Sequence, residues 1–252
     1  MGTVEGGSAA VSEGSDSEGS GARVEPTADV DGRAVLGAGT TVWHLAQVRE
    51  DAVIGADCII GRGAYVGPGV RIGDRVKLQN HALVYEPAVL EDGVFVGPAA
   101  VLTNDLYPRS VDVDGRLKRG EDWHARGVTL RRGCSIGGRA VLVAGVTVGR
   151  WALVAAGAVV HRDVPDFALV AGVPARRIKW VGRAGEPLRP AGADRWVCPR
   201  TGEEYREHDG LLAPVEPEPL AEPEPLAEPE PLAEPEPLAE PEPLAESSET
   251  GR

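Results

Sequence analysis

The sequence predicts an all-β fold, a parallel β-helix wound from six-residue units, on three observations. Every sixth residue from Val30 to Leu102 is aliphatic, and a small or β-branched residue follows four positions after each of them up to Ala100. Glycine often comes directly after the aliphatic residue, as Gly55 follows Ile54. A period of six fits neither the 3.6 of a helix nor the 2 of a flat strand. It fits a triangular prism in which each face takes one unit and three units make one coil.

The repeat stops after Leu102 and resumes at Leu130, from which it runs to Val160. Residues 103–129 therefore leave the column as one expelled loop. A long loop on an otherwise regular scaffold is usually functional, and this one is rich in cations and aromatic residues. After the repeat, proline at the start of "PARRIKW" predicts a short basic helix that begins near Pro174.

Composition divides the chain into four parts. Residues 1–23 are rich in Gly, Ser and acids, and we expect them to be disordered. Residues 24–170 form the β-helix domain, and 171–215 hold the short helix and a small appendage. Residues 216–252 contain "EPEPLA" five times. Proline removes backbone donors and the glutamates repel one another, so we expect a disordered acidic tail. We expect this tail to bind a partner whose identity the sequence does not give.

Charge and hydrophobicity exclude some partners. Most of the net charge of −13 lies in the tail, and the body is close to neutral, so no nucleic-acid partner is expected. The chain lacks an apolar run long enough for a membrane span and a basic, apolar leader, so we expect a cytoplasmic protein with no membrane partner. Cys58, Cys134 and Cys198 have no CxxC spacing, which indicates a reducing compartment without disulfides.

One unit of the repeat is polar where the four units before it carry glycine. In "KLQNHALVYEP", the aliphatic Leu78 is followed by Gln79, Asn80 and His81. The axial residue must stay aliphatic, whereas its outward neighbours are free to vary. The substitution predicts that this unit faces a ligand or a neighbouring column.

Five stretches carry a resemblance to a known family: "TVWH", "VKLQN", "VYEPAVLEDGVFVGP", "LTNDLYPR" and "FALVAGVPARRIKWVG". Together with the hexad column they resemble the left-handed β-helix acyltransferases. The likeness is greatest to nucleotide-sugar N-acetyltransferases acting on UDP-2-acetamido-3-amino-2,3-dideoxyglucuronate or dTDP-3-amino sugars. The resemblance implies a left-handed column, acetyl-CoA as co-substrate, no metal, and a homotrimer with its active sites between neighbouring columns.

The reaction implied is attack of a sugar amine on a thioester, which requires a positioned carbonyl and a destination for the proton. Asn80 would accept a hydrogen bond from the amine, and His81 would take the proton. The family often has a second asparagine at the position of His81, so an unaided amine remains an alternative to a histidine base. A further departure is Gln47, where the family has a second histidine.

The same resemblance gives the binding residues. The nucleotide-linked amino sugar is expected to contact His44, Gln79, Asn104, Arg109 and His124. Acetyl-CoA is expected to contact Gly157, Ala158, Arg176, Arg177 and Lys179, because small residues admit the pantetheine arm and cations bind its phosphates.

Other functions remain open at this point. One is O-acetylation of a sugar or of serine, and another is a non-catalytic β-helix scaffold. A γ-type carbonic anhydrase shares the fold but requires three histidines that converge on zinc. The scaffold alternative leaves both the polar unit and the expelled loop unexplained.

Overall fold

The computed structural model of the chain describes residues 21–122 and 124–215, which are almost entirely β-structure. The acidic tail and most of the predicted N-terminal disordered segment lie outside the described residues. Within that segment, Arg23 already belongs to the first strand.

The column has three parallel faces made of two-residue strands. Sheet A contains β1 (Arg23–Val24), β4 (Thr41–Val42), β7 (Ile59–Ile60), β10 (Lys77–Leu78), β13 (Phe95–Val96), β16 (Ser135–Ile136), β19 (Leu153–Val154), β21 (Ala168–Ala171) and β22 (Arg176–Trp180). Sheet B contains β2 (Asp29–Val30), β5 (Gln47–Val48), β8 (Tyr65–Val66), β11 (Leu83–Val84), β14 (Val101–Leu102), β17 (Val141–Leu142) and β20 (Val159–Val160). Sheet C contains β3 (Val35–Leu36), β6 (Val53–Ile54), β9 (Arg71–Ile72), β12 (Val89–Leu90), β15 (Thr129–Leu130) and β18 (Thr147–Val148).

From β1 to β20 each strand pairs in parallel with the strand of the neighbouring coil, 18 residues away except where the expelled loop lengthens the separation. Lys77 lies between Ile59 and Phe95, and Leu83 lies between Tyr65 and Val101. The result is a β-helix of about 8 turns of the left-handed hexapeptide type, as predicted. The column extends the repeat found in the sequence by β1 at one end and β21 at the other.

The core follows the two positions that the sequence pattern marked. The aliphatic second residue of each strand and the small fourth residue of each turn point inward, as in Leu78 and Ala82, which are both 0% exposed. Cys58 and Cys134 occupy the small position and are buried, and burial raises the pKa of both thiols. Each aliphatic side chain buried in this way contributes roughly 1.5–3 kcal/mol to folding.

The loop leaves the column where the sequence predicted. Sheet B ends its fifth strand at Leu102, and the chain returns to sheet C at Thr129. Within the loop, Val111 and Leu117 form a small antiparallel bridge, and residues Gly120–Asp122 form a short 3₁₀ helix. The backbone N–H of Arg126 donates to the carbonyl of Asn104 at 2.9 Å and closes the neck of the loop.

The predicted helix near Pro174 is wrong. The segment after the turn at 172–175 is the strand β22, which pairs antiparallel with β21 through Ala171 with Arg176 and Ala168 with Trp180. The last coil has no further coil above it, so its backbone groups need a partner, and β22 supplies one. This non-local requirement outweighs the local preference of the sequence.

The appendage is a four-stranded antiparallel sheet: β23 (Arg189–Pro190), β24 (Arg195–Val197), β25 (Glu204–His208) and β26 (Leu211–Pro214). Its Tyr205 is fully buried and packs edge-on against Phe167 of the last coil, with ring centroids 5.3 Å apart. Trp180 and Leu212 join the same core. The appendage thus caps the open end of the column, as solenoids require.

Across residues 21–122 and 124–215, no helix has both the length and the apolar character needed to cross a bilayer.

Candidate active site

Six of the twelve site residues predicted from the sequence lie along one edge of the column. We call this edge the A/B edge: it consists of the turns between sheets A and B, at residues 25–28, 43–46, 61–64, 79–82, 97–100, 137–140 and 155–158. His44 lies near its lower end, Asn80 and His81 near its middle, and Gly157 near its upper end. The spacing of about 4.8 Å per coil separates His81 from Gly157 by roughly 14 Å along the edge.

The polar unit is accommodated by glycine in the coil beneath it. A Cβ on Gly61 would lie 2.7 Å from the backbone nitrogen of Asn80, so the lower coil cannot carry a side chain there. Gln79 is half-buried, whereas Asn80 and His81 are exposed. The unit therefore presents two polar side chains outward from a tightly stacked backbone.

Asn80 is anchored at one end of its amide. Its Oδ1 accepts a hydrogen bond from the backbone N–H of Arg62 at 3.0 Å. Asp74 and Asp92 make the same kind of contact on another edge, where each accepts from the N–H of the coil below. The contact is thus a recurring structural ladder, and it leaves the Nδ2 hydrogens of Asn80 as the outward, available donors.

His81 occupies a strained backbone position. Its φ is +59°, in the left-handed region that non-glycine residues adopt infrequently. The imidazole lies over Gly63, where an added Cβ would be 2.6 Å from Nδ1. His81 is therefore fixed beside Asn80 with its ring on the surface of the A/B edge.

His44 is held by neighbours at the lower end of the same edge. Its Nδ1 lies 3.0 Å from the Thr27 hydroxyl and its Nε2 lies 3.4 Å from the Glu25 carboxylate. Both ring nitrogens have partners, and two coils, roughly 10 Å, separate His44 from Asn80. The structure thus gives His44 local contacts that account for it without a substrate.

The two small residues predicted for CoA differ in their placement. Gly157 has a φ of +70° and open space around the position of an added Cβ. The side chain of Ala158 is 0% exposed in the core, so it is not available to a ligand and only its backbone is at the edge. The edge at this level is therefore a smooth surface formed by Gly157.

The three cations after the last coil also differ. Arg177 stacks on Trp180 at 4.0 Å from the ring centroid and lies 3.9 Å from the Glu207 carboxylate. Arg176 and Lys179 are exposed and form no ion pair within the described part of the chain. Arg176 directly follows the turn 172–175, which is joined to strand β20 because the Ala175 N–H donates to Val159 O at 2.8 Å. Two of the three predicted cations thus remain free to bind phosphate.

Two further cations on the A/B edge were missed by the sequence reasoning. Arg62 lies one coil below Asn80, and Arg139 lies two coils above His81. Both are exposed, and neither makes an ion pair with any residue the structure describes. The position of Arg62 in the repeat could have identified it, because Arg62 precedes Asn80 by one full 18-residue coil.

The loop residues lie on a different edge of the same column. Asn104, Arg109 and His124 belong to the loop that leaves between sheets B and C, at the B/C edge (turns 31–34, 49–52, 67–70, 85–88 and 143–146). Arg109 and Lys118 line a shallow pocket of about 290 Å³ in this loop. Within one chain the structure does not bring these residues together with Asn80 and His81.

The described residues provide no metal site. No group of three His, Cys, Asp or Glu side chains in residues 21–122 and 124–215 is placed to hold a metal ion. His44 and His81 are two coils, roughly 10 Å, apart, which is too far for both to bind one zinc ion.

Comparisons with family models and known proteins agree with this fold. The model described as bacterial transferase hexapeptide (six repeats) matches residues 33–68 and 51–86. The model described as hexapeptide repeat of succinyl-transferase matches residues 127–162.

Among curated relatives, dTDP-3-amino-3,6-dideoxy-alpha-D-galactopyranose 3-N-acetyltransferase of Aneurinibacillus thermoaerophilus is 39% identical over 84 residues, which cover 33% of this chain and 43% of the relative. Serine acetyltransferase of Escherichia coli is 41% identical over 85 residues, which cover 33% of this chain and 30% of the relative. The chain thus spans less than half of the length of either relative.

Among solved structures, LpxA, a UDP-N-acetylglucosamine acyltransferase from Bacteroides fragilis, matches with a TM-score of 0.51 and 14% identity over 63% of this chain and 61% of that one. That likeness concerns the fold alone. The protein is therefore a left-handed hexapeptide-repeat β-helix, similar in its repeats to acyltransferases of the nucleotide-sugar N-acetyltransferase type.

Proposed function

We propose that the protein transfers an acetyl group from acetyl-CoA to the amino group of a nucleotide-linked amino sugar. The observation that carries the proposal is the alignment of Asn80, His81 and Gly157 along the A/B edge, with Arg176 at the start of β22 beyond its upper end. The edge offers a hydrogen-bond donor, a candidate base and a smooth surface, and β22 adds a cation. The dTDP-amino-sugar N-acetyltransferase relative supports the choice of acceptor.

In the proposed reaction the neutral amine attacks the thioester carbonyl carbon. A C–N bond forms, the carbonyl oxygen becomes an oxyanion, and the C–S bond then breaks to release CoA as a thiolate. The free Nδ2–H of Asn80 is placed to donate to the oxyanion, because Oδ1 is already bonded to Arg62. His81 takes the proton that the amine nitrogen loses, or the departing thiolate carries it away.

CoA would lie along the edge above the reacting centre. Gly157 lets the pantetheine arm approach the backbone, and Arg139 and Arg176 are exposed cations for its phosphates. The sugar nucleotide would be held by the loop, where Arg109 and Lys118 line a common pocket. Since the loop and the A/B edge lie apart in one chain, we propose a homotrimer in which the loop of one copy faces the edge of the next.

O-acetylation of serine is the second candidate, because the serine acetyltransferase relative matches over a stretch of similar length. The experiment that separates the two measures thiol release from acetyl-CoA with UDP- and dTDP-linked 3-amino sugars, the matching hydroxy sugars and L-serine. Release with an amino sugar alone supports the proposal. Release with serine, or with the hydroxy sugars at the same rate, contradicts it.

A further inference from the structure

The acidic tail is joined to the protein beside a cavity of the appendage. Val215 is the last residue that the structure describes, and its N–H donates to the carbonyl of Glu204 at 2.9 Å. Val215 also lines a cavity of about 730 Å³, together with Arg183 and Ala184. Glu216, the first residue of the EPEPLA repeats, is therefore covalently attached to the wall of this cavity.

A second cavity continues from the first down the third edge of the column, the C/A edge (turns 37–40, 55–58, 73–76, 91–94, 131–134 and 149–152). It has a volume of about 280 Å³ and shares Arg183 and Ala184 with the first. Gly93 and Gly133 occupy the same position of successive coils in its floor. The indole of Trp151 lies over Gly133, where an added Cβ would be 2.4 Å from the ring. The two adjoining cavities, which we call the C/A groove, thus have a glycine floor and an aromatic wall.

Two carboxylates that line the C/A groove already have arginine partners. Glu203 forms an ion pair with Arg183, and Glu204 forms one with Arg195. Each negative charge is therefore matched by a guanidinium beside it. These carboxylates do not give the groove a net negative charge that would repel an acidic segment.

Arg200 is a cation of the groove that retains its hydrogen-bonding capacity. Its side chain is 64% exposed, and its Nη1 lies 3.9 Å from the Glu186 carboxylate. Within residues 21–122 and 124–215 the Arg200 side chain donates no hydrogen bond. Since a guanidinium can donate two parallel hydrogen bonds to one carboxylate, Arg200 is suited to bind a further carboxylate.

The tail complements the C/A groove in charge, side-chain type and length. Residues 216–252 contain twelve Glu and one Arg, and each EPEPLA repeat has two prolines and a leucine beside its glutamates. Proline-rich segments bind to aromatic-lined grooves in other proteins. Two repeats can span up to about 40 Å. The coils of Gly93 and Trp151 are only roughly 10 Å apart, so the tail is long enough to follow the groove.

We propose that the C/A groove binds the acidic tail of the same chain. A glutamate of the first repeats binds Arg200, and a proline packs on the indole of Trp151. Attachment at Val215 makes the binding intramolecular, with an effective concentration on the order of millimolar, so a contact that is weak for a separate peptide is sufficient. The groove lies on a different edge from Asn80, so tail binding is independent of the proposed acetyl transfer.

The test uses the full-length chain with a small bimane fluorophore on the tail at Ala221→Cys. The three natural cysteines are buried, so the introduced thiol is the one that reacts in the folded protein. Tryptophan quenches bimane on contact, and emission therefore reports the undocked fraction. We expect Arg200→Ala to shift the docking equilibrium about tenfold toward the undocked tail and to raise emission, since one charge-assisted contact is lost. High salt should raise the emission of the wild type in the same way.

Arg206→Ala is the matched control. Arg206 is also an exposed arginine of the appendage, with its side chain 62% exposed and 3.5 Å from the Asp194 carboxylate, but it lines neither cavity. Its substitution should leave emission unchanged. Equal emission from the wild type and Arg200→Ala would overturn the proposal, and so would an equal rise in both variants. Quenching that disappears on dilution would also overturn it, because the tail would then bind a second copy.

Discussion

The Oδ1 atom of Asn80 accepts a hydrogen bond from the backbone N–H of Arg62 in the coil below, at 3.0 Å. This contact fixes the orientation of the amide and separates its two ends by function. The oxygen stabilises the stacking of two coils, and the nitrogen faces outward, where it can donate to an oxyanion. In the proposed reaction the side chain therefore combines a structural oxygen with a catalytic nitrogen, and different substitutions remove the two separately.

Asn80→Asp retains the acceptor of the ladder and removes the outward donors. We expect it to fold with a melting temperature close to that of the wild type and to lose about 10²–10³-fold in kcat, the usual effect of losing one oxyanion donor. Asn80→Ala removes both the amide oxygen and the amide N–H donors, so it should lose stability as well as activity. Steady-state rates and thermal unfolding of both variants measure the two effects. Full activity in Asn80→Asp would show that the amide nitrogen has no part in the reaction.

His81 can be tested as a base without disturbing its backbone. Asparagine tolerates the left-handed conformation at φ +59° better than alanine does, so His81→Asn is the suitable variant. If His81 takes the proton, kcat should fall about 10²–10⁴-fold. If the amine attacks unaided, His81→Asn should keep a kcat close to that of the wild type, and the histidine base is then discarded.

The sequence predicted the column because the period is regular. An 18-residue coil assigns each position to one of three edges, so Asn80, His81 and Gly157 could be aligned without coordinates. The predictions that failed concerned residues whose structure depends on contacts with distant parts of the chain. The segment "PARRIKW" forms a strand because β21 needs a partner, and Arg177 is occupied because Trp180 and Glu207 lie beside it.

The predicted contact between CoA and Gly157 can be tested with Gly157→Ala, using a glycine of similar backbone geometry on another edge as the control. Gly157 and Gly69 have φ values of +70° and +62°, and an added Cβ meets nothing within 4 Å at either position. Alanine at either site should therefore cost about 1–2 kcal/mol of stability from backbone strain alone. Only Gly157→Ala should raise the KM for acetyl-CoA, because Gly69 lies on the B/C edge. An equal effect of both variants on that KM would show that CoA does not pass Gly157.

The buried thiols give a check on the column itself. Burial raises the pKa of Cys58 and Cys134, so at neutral pH both are protonated and poor nucleophiles. We expect neither to react with a thiol reagent in the folded protein, and both to react after unfolding in denaturant. Peptide mapping by mass spectrometry locates the label. Rapid labelling of Cys134 in native buffer would mean that the coil at residues 131–136 opens readily.

Variants of the three cations beyond the last coil are expected to affect acetyl-CoA binding and stability separately. Arg176 and Lys179 have no ion-pair partner within the described residues, so Arg176→Ala and Lys179→Ala should leave the melting temperature nearly unchanged. Each should raise the KM for acetyl-CoA, and the effect should shrink at high salt, because screening weakens contacts with phosphate. Arg177→Ala should lower the melting temperature and leave the KM for acetyl-CoA nearly unchanged. The reason is that Arg177 stacks on the buried Trp180, and its loss uncovers the ring. Titration with acetyl-CoA at two salt concentrations, alongside thermal unfolding, measures all three variants. A larger rise in KM for Arg177→Ala than for Arg176→Ala would place the CoA phosphates on the opposite face of β22 and reverse this assignment.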